Sequence, residues 1–135
     1  MVYLTRAAAF CASHRYHNPD LSAEDNRKLF GKCNYPHGHG HNYVVEVAVA
    51  GEPDPVTGMV INLSELDKVI ERAVIEPLDH RHLNLDVPEF ERRIPTTENL
   101  ARFIWDSLAQ ELEGCSLHRV RLYESPDLYV DYLGE

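Results

Sequence analysis

The sequence predicts an α+β fold: a four-stranded antiparallel sheet with two helices on one face, in the order ββααββ. Two segments near the start alternate with the two-residue period of strands, two later segments carry apolar residues at helical spacing, and two more alternating segments close the chain. The 135 residues are read as a single domain, 1–135, long enough to bury roughly two-thirds of the surface the unfolded chain exposes.

The first strand ends at a histidine. Leu4, Ala8, Phe10 and Ala12 share one face and lead to His14. The second strand, from about His41 to Ala50, sets Tyr43, Val45, Val47 and Val49 on one face in phase with His39 and His41. Two strands therefore converge on the histidines. The segment between them is too long to be structureless in a compact domain. Within it, Ser22-Ala-Glu-Asp25 predicts a capping box opening a short helix that ends before Gly31, with Cys33 just beyond.

Gly51 to Gly58 is a turn cluster, and Met59–Ile61 predicts a short extension or edge of the sheet. Ser64-Glu-Leu-Asp67 predicts a second capping box. Behind it Leu66, Val69, Ile70, Ala73 and Val74 form one buried helix face, and Pro77 is expected to stop that helix. Thr97 is expected to cap the next helix, whose stripe is Leu100, Phe103, Ile104, Leu108 and Leu112, with Gly114 at its stop. Strands over about Leu117–Glu124 and Tyr129–Leu133 complete the order. Such a sheet has two open edges, so pairing with further copies is expected.

Composition narrows the function. A net charge of -9 and a pI near 5.3 disfavour a nucleic-acid footprint, which needs clustered Lys and Arg. Arg27, Lys28 and Lys32 nevertheless concentrate positive charge just before the histidines and suit a small anionic ligand. Three cysteines without paired spacing fit a reducing compartment, and no leader or 18-residue apolar run is found, so a cytoplasmic protein with no membrane partner is expected.

His39 and His41 lie two apart on a strand and project to the same side, so with His14 they make a three-imidazole set for a Zn2+ ion with one position open to substrate. His37 with His39 would serve equally by spacing alone. Strand continuity into Asn42 and Tyr43 favours His39 and His41. Cys33 has three readings at this level: a fourth ligand, a buried apolar cysteine, or a base or nucleophile beside the metal. Asp79-His80 supplies a carboxylate that can orient an imidazole. Glu124 continues the apolar face of Val120 and Leu122, where a carboxylate needs a partner; a ligand edge with two parallel N–H groups would satisfy it. Thr96 and Thr97 read first as a helix start.

Taken in order, Cys-Ala-Ser-His-Arg15, Phe-Gly-Lys-Cys33, Gly-His-Gly-His-Asn-Tyr43, Asp-Pro-Val-Thr-Gly-Met59, Pro-Leu-Asp-His80, Thr-Thr-Glu-Asn99 and Tyr-Glu124 resemble the 6-pyruvoyltetrahydropterin synthase family over nearly the whole chain. The resemblance implies the tunnelling fold (T-fold), in which three subunits join their sheets into a barrel and two trimers stack into a homohexamer. It implies zinc on His14, His39 and His41, Cys33 as proton acceptor, Asp79 and His80 as the pair that activates it across a subunit interface, and Glu124 as the anchor of the pterin ring, with Thr96 and Thr97 lining its pocket. The implied substrate is 7,8-dihydroneopterin triphosphate, which loses triphosphate while its side chain rearranges, as in tetrahydrobiopterin biosynthesis. The related 6-carboxytetrahydropterin synthases of queuosine biosynthesis typically have three residues between the cysteine and a His-Gly-His, where the pyruvoyl enzymes have five. This chain has both spacings, from Cys33 to His37 and from Cys33 to His39; the strand register favours the longer one and hence the pyruvoyl product.

Overall fold

β1 (Val2–His14) and β2 (His39–Gly51) pair antiparallel along their whole length, so that His14 stands directly across from His39 and Ala12 across from His41. This computed structural model describes residues 1–135. The phase of the two strands is the one their alternation predicts: Phe10, Ala12, His14, Tyr43, Val45, Val47 and Val49 are all buried. β4 (Ser116–Ser125) pairs antiparallel with β2, with a bulge at Ala48/Val49, and β5 (Leu128–Tyr132) pairs with β4.

The sheet has five strands, not four. β3 (Arg81–His82) lies parallel to β1 beside Ala12 and Ser13, giving the order β3-β1-β2-β4-β5. Two residues are too few to show alternation, which is why the pattern misses this strand. The predicted edge at Met59–Ile61 forms no strand; Val60 and Ile61 instead pack against the core.

Three helix boundaries also differ. α1 (Ala23–Phe30) starts as expected, with Ser22 Oγ accepting the Asp25 N–H at 3.0 Å. α2 (Leu63–Ile70), however, is capped by Asn62, whose Oδ1 accepts both the N–H and the hydroxyl of Ser64, so Ser64 lies inside the helix rather than at its cap. Pro77 does not end this helix. A π turn (Glu71–Ile75), in which the Glu76 N–H reaches back to Glu71 O, leads into α3 (Glu76–Leu78); the wider turn accommodates a residue that has no N–H to donate. α4 (Leu83–Asp86) follows β3. α5 (Thr97–Ala109) is capped by Thr96, whose Oγ1 accepts the Asn99 N–H, and Thr97 is its first residue. Gly114 sits beyond the helix end, in the turn to β4, at φ 78°.

α2, its π extension and α5 cover one face of the sheet. Leu66, Val69, Ile70, Ala73, Val74, Leu100, Ile104 and Leu108 meet the inward strand residues there, each fully buried Leu or Val contributing about 1.5–3 kcal/mol. The same inward face continues past Phe10 and Tyr43 to the histidines, so the core's end wall is also the wall of the site.

Candidate active site

The rings of His14, His39 and His41 form a nearly equilateral triangle, with all three centroid separations 5.0 Å. One ring nitrogen of each lies within 4.8 Å of the others. Strand pairing produces this: the cross-strand partners His14 and His39 meet edge to face, and His41 joins from two residues along β2. Gly38 turns the chain into β2 at φ 75°, and a Cβ there would come within 2.8 Å of His14 O, so only glycine lets the strands close at this end. His37 lies before this turn, against the Tyr35 ring and outside the triangle.

His14 is fully buried, and its pKa is pushed down to about 3, first by burial and then by the neighbouring imidazoles; it is neutral at pH 7. Its Nδ1 is 3.0 Å from Tyr43 Oη. With Nδ1–H donating to Tyr43, the lone pair of Nε2 points into the triangle, the tautomer a metal ligand needs. His14 Nε2 has no hydrogen-bond partner, a condition that costs about 1–3 kcal/mol for a buried polar atom unless something binds there. The site therefore fits a metal ion: three imidazoles with one ring nitrogen each brought together, two Nε2 atoms without hydrogen-bond partners, and no fourth side chain among the donors.

Glu124 closes one side. Its side chain is only 12% exposed, with Oε1 2.9 Å from His41 Nε2, though off the line of a hydrogen bond, and Oε2 accepting the Thr97 hydroxyl. Burial lowers the His41 pKa, while the Glu124 charge opposes that shift.

Cys33 lies on a 3₁₀ turn (Gly31–Asn34) after α1 and is not part of the imidazole group. The turn is tied to the residues after His14: the Tyr16 N–H donates to Cys33 O at 2.8 Å, and Asn34 Nδ2 donates to Tyr16 O at 2.7 Å. Burial, and then the Glu124 carboxylate, push the Cys33 thiol up. Tyr16 is raised by burial and by nearby Glu124 and Cys33, so these three groups share one neighbourhood. Beside the Cys33 turn, Arg15, Arg27 and Lys32 line a cavity of about 370 Å³ that has no acidic residue in its wall.

The profile of the 6-pyruvoyl tetrahydropterin synthase family matches residues 3–135 of this chain. The chain belongs to that family. It is 52% identical over 132 residues to the human 6-pyruvoyl tetrahydrobiopterin synthase, covering 98% of this chain and 91% of that one. The solved Caenorhabditis elegans 6-pyruvoyl tetrahydropterin synthase superposes with a TM-score of 0.95 at 38% identity, over 99% of this chain and 96% of that one. Similarity to the 6-carboxy-5,6,7,8-tetrahydropterin synthase of Haemophilus influenzae is lower, 28% identity over 122 residues, 76% of this chain and 84% of the other.

In this 6-pyruvoyl tetrahydropterin synthase family member, Asp79 and His80 are not gathered with Cys33. They sit at the edge of β1 away from β2, just ahead of β3: Asp79 Oδ1 accepts the Cys11 N–H at 2.9 Å, Asp79 Oδ2 is 2.9 Å from His80 Nδ1, and the His80 N–H donates to Cys11 O at 2.7 Å. His80 holds φ 60°, the left-handed region, and its side chain is 80% exposed. The Cys11 N–H, and then His80, hold the Asp79 carboxyl below its ordinary range. Thr96 only caps α5, whereas Thr97, expected as the cap, is the residue that touches Glu124. Sequence reading assigned no role to Tyr16, Asn34 or the Tyr43 hydroxyl. Only Tyr43 left a signal, since alternation places it on the histidine face.

Proposed function

We propose that this synthase-family chain is a zinc-dependent lyase converting 7,8-dihydroneopterin triphosphate to 6-pyruvoyltetrahydropterin with loss of triphosphate, acting in the cytoplasm. The observation that carries the reading is the triangle of imidazoles with a largely buried, hydrogen-bonded carboxylate beside it. His14, His39 and His41 hold the zinc, which when bound supplies Lewis-acid polarisation of substrate oxygens. Glu124, oriented by Thr97, accepts the 2-amino and N3 protons of the pterin edge as a bidentate pair. Arg15, Arg27 and Lys32 hold the triphosphate. Cys33 takes the carbon-bound proton. The similarity favours the pyruvoyl over the carboxy product, in line with the five-residue spacing from Cys33 to His39.

Cys33 also argues for an assembly. Within one chain, burial and Glu124 both disfavour its thiolate, and a base needs the opposite shift. A nearby metal dication and a hydrogen-bonding imidazole from a second chain would supply it, and His80 is the exposed imidazole already oriented by a carboxylate. We therefore place Asp79 and His80 of a neighbouring copy against Cys33, within a homohexamer built as a dimer of trimers.

Incubation of the purified, zinc-loaded protein with 7,8-dihydroneopterin triphosphate should release triphosphate and give 6-pyruvoyltetrahydropterin by mass spectrometry without an added reductant. Cys33→Ala should lower kcat by about 10²–10⁴-fold while zinc content is unchanged. Loss of zinc from that variant would make Cys33 a ligand, and a carboxy product would overturn the product assignment.

A further inference from the structure

We propose that Cys11, Asp79 and His80 form a second metal site on each chain, one that takes a thiophilic divalent cation of the zinc and cadmium class. The thiol sulfur of Cys11, a carboxylate oxygen of Asp79 and a ring nitrogen of His80 all lie within 4.8 Å of one another. No other side-chain group outside the three histidines brings these donor types together so closely. The reaction assigned above gives Cys11 no role.

The backbone fixes the three donors. Cys11 donates its N–H to Asp79 and accepts the N–H of His80, so strand β1 sets the spacing between its own thiol and the two loop residues. His80 is held in the left-handed region by that bond and by Asp79, which within the single chain turns its ring away from the core beside the Asp79 carboxylate. Cys11 and His80 both line a cavity of about 600 Å³, bounded also by Ser13, Asn42 and Asp86, with room for a solvent ligand in a fourth position.

The donor chemistry separates this site from the first. A thiolate, an imidazole and a carboxylate make a soft, mixed set with two negative charges, suited to zinc and still better to cadmium, whereas the three-histidine site offers nitrogen alone. A cation here replaces the proton between Asp79 and His80 and displaces the thiol proton, so binding releases protons and tightens as pH rises. On the reading of Asp79 and His80 given under the proposed function, occupancy withdraws the pair from Cys33, so metal beyond the first equivalent inhibits turnover.

The test is a cadmium titration of the full-length, zinc-loaded protein, read as thiolate-to-cadmium charge-transfer absorption in the ultraviolet. The three-histidine site has no sulfur and is silent in this band, and the reading needs no turnover, so it stands or falls apart from the assigned reaction. The wild type and Cys33→Ser should give the band, saturating at one cadmium per chain, and Cys11→Ser should lose it while keeping its zinc. His80→Ala, which leaves every thiol in place, should shift the midpoint by at least the roughly 10- to 100-fold that loss of even an outer-shell partner costs. The proposal is overturned if the wild type shows no band, if the band survives Cys11→Ser, if Cys33→Ser removes it, or if His80→Ala leaves the midpoint unmoved.

Discussion

On the helix-covered face of the sheet, strand register brings His14, His39, His41 and Glu124 together, His14 buried and the others half-buried, supported by Tyr43 and Thr97. On the opposite side, Cys11, Asn42 and Val44 face outward, and the Asp79–His80 pair projects from the β1 edge with the His80 ring in the open. Both regions are positioned by β1, whose successive residues alternate between them. The covered side is complete in one chain: its polar groups have partners or converge on one point. The open side is oriented but has no reacting group of its own to act on in the reaction assigned here. One strand therefore sets an imidazole group that could hold a metal ion on its inner side and an Asp–His pair at its outer edge.

The sharpest break of this comparison is at the covered side. His39→Ala removes one of three ligands, and metal affinity should fall by well over the roughly 100-fold that an outer-shell change costs, with turnover lost in parallel. Metal analysis after dialysis checks this. Retained zinc would mean that His37 or Cys33 can substitute, and the triangle would not be the centre.

Next in size is the carboxylate. Glu124→Gln removes a charged acceptor worth roughly 1.5–3 kcal/mol, so KM should rise about 10- to 100-fold with zinc content unchanged. Thr97→Val should move KM in the same direction by a smaller factor. Thr96→Val should instead cost about 1 kcal/mol of unfolding free energy and leave KM alone, because Thr96 only caps α5. Steady-state kinetics beside denaturant melts separate the two adjacent threonines, and equal effects on KM would contradict the division of labour between them.

That pair of threonines shows where sequence pattern stops. Alternation in β1 and β2 is dictated by one-sided burial, so the phase of His14, His39 and His41 was readable before any coordinates, and so were the apolar faces of the helices. Which threonine caps α5 depends on a one-residue shift that both hydroxyls satisfy chemically, and only the distance to Glu124 distinguishes them. Asn62 likewise displaced Ser64 as a cap: two residues earlier, its Oδ1 accepts the Ser64 N–H, so the helix opens before Ser64. The location of Asp79 and His80 was illegible for another reason: β3 is two residues long, and its pairing with β1 is a tertiary fact with no periodic signature. The raised Cys33 thiol arises from burial beside Glu124, a residue distant in sequence.

The smallest effect expected lies on the open side. Arg121 donates two bonds to Asp131, and this pairing, chiefly the hydrogen bonds, lowers the Asp131 pKa. A depressed carboxylate contributes stability above its unfolded pKa near 3.9 and loses it as pH falls through the lower folded value. Asp131→Asn should thus be less stable than wild type at pH 7 by no more than about 1 kcal/mol, with the gap closing below about pH 4. Urea melts across that range check it, and turnover at pH 7 should be unchanged.

The account's central claim, that each active site joins the covered face of one chain to the open edge of another, is tested most directly by mixing subunits. Cys33→Ala and His80→Ala chains should each be inactive alone. Unfolded and refolded together in equal amounts, they should regain about one quarter of wild-type turnover, because a site drawing one group from each of two randomly assorted neighbours is intact in one arrangement of four. A mixture no more active than its two components would contradict the claim.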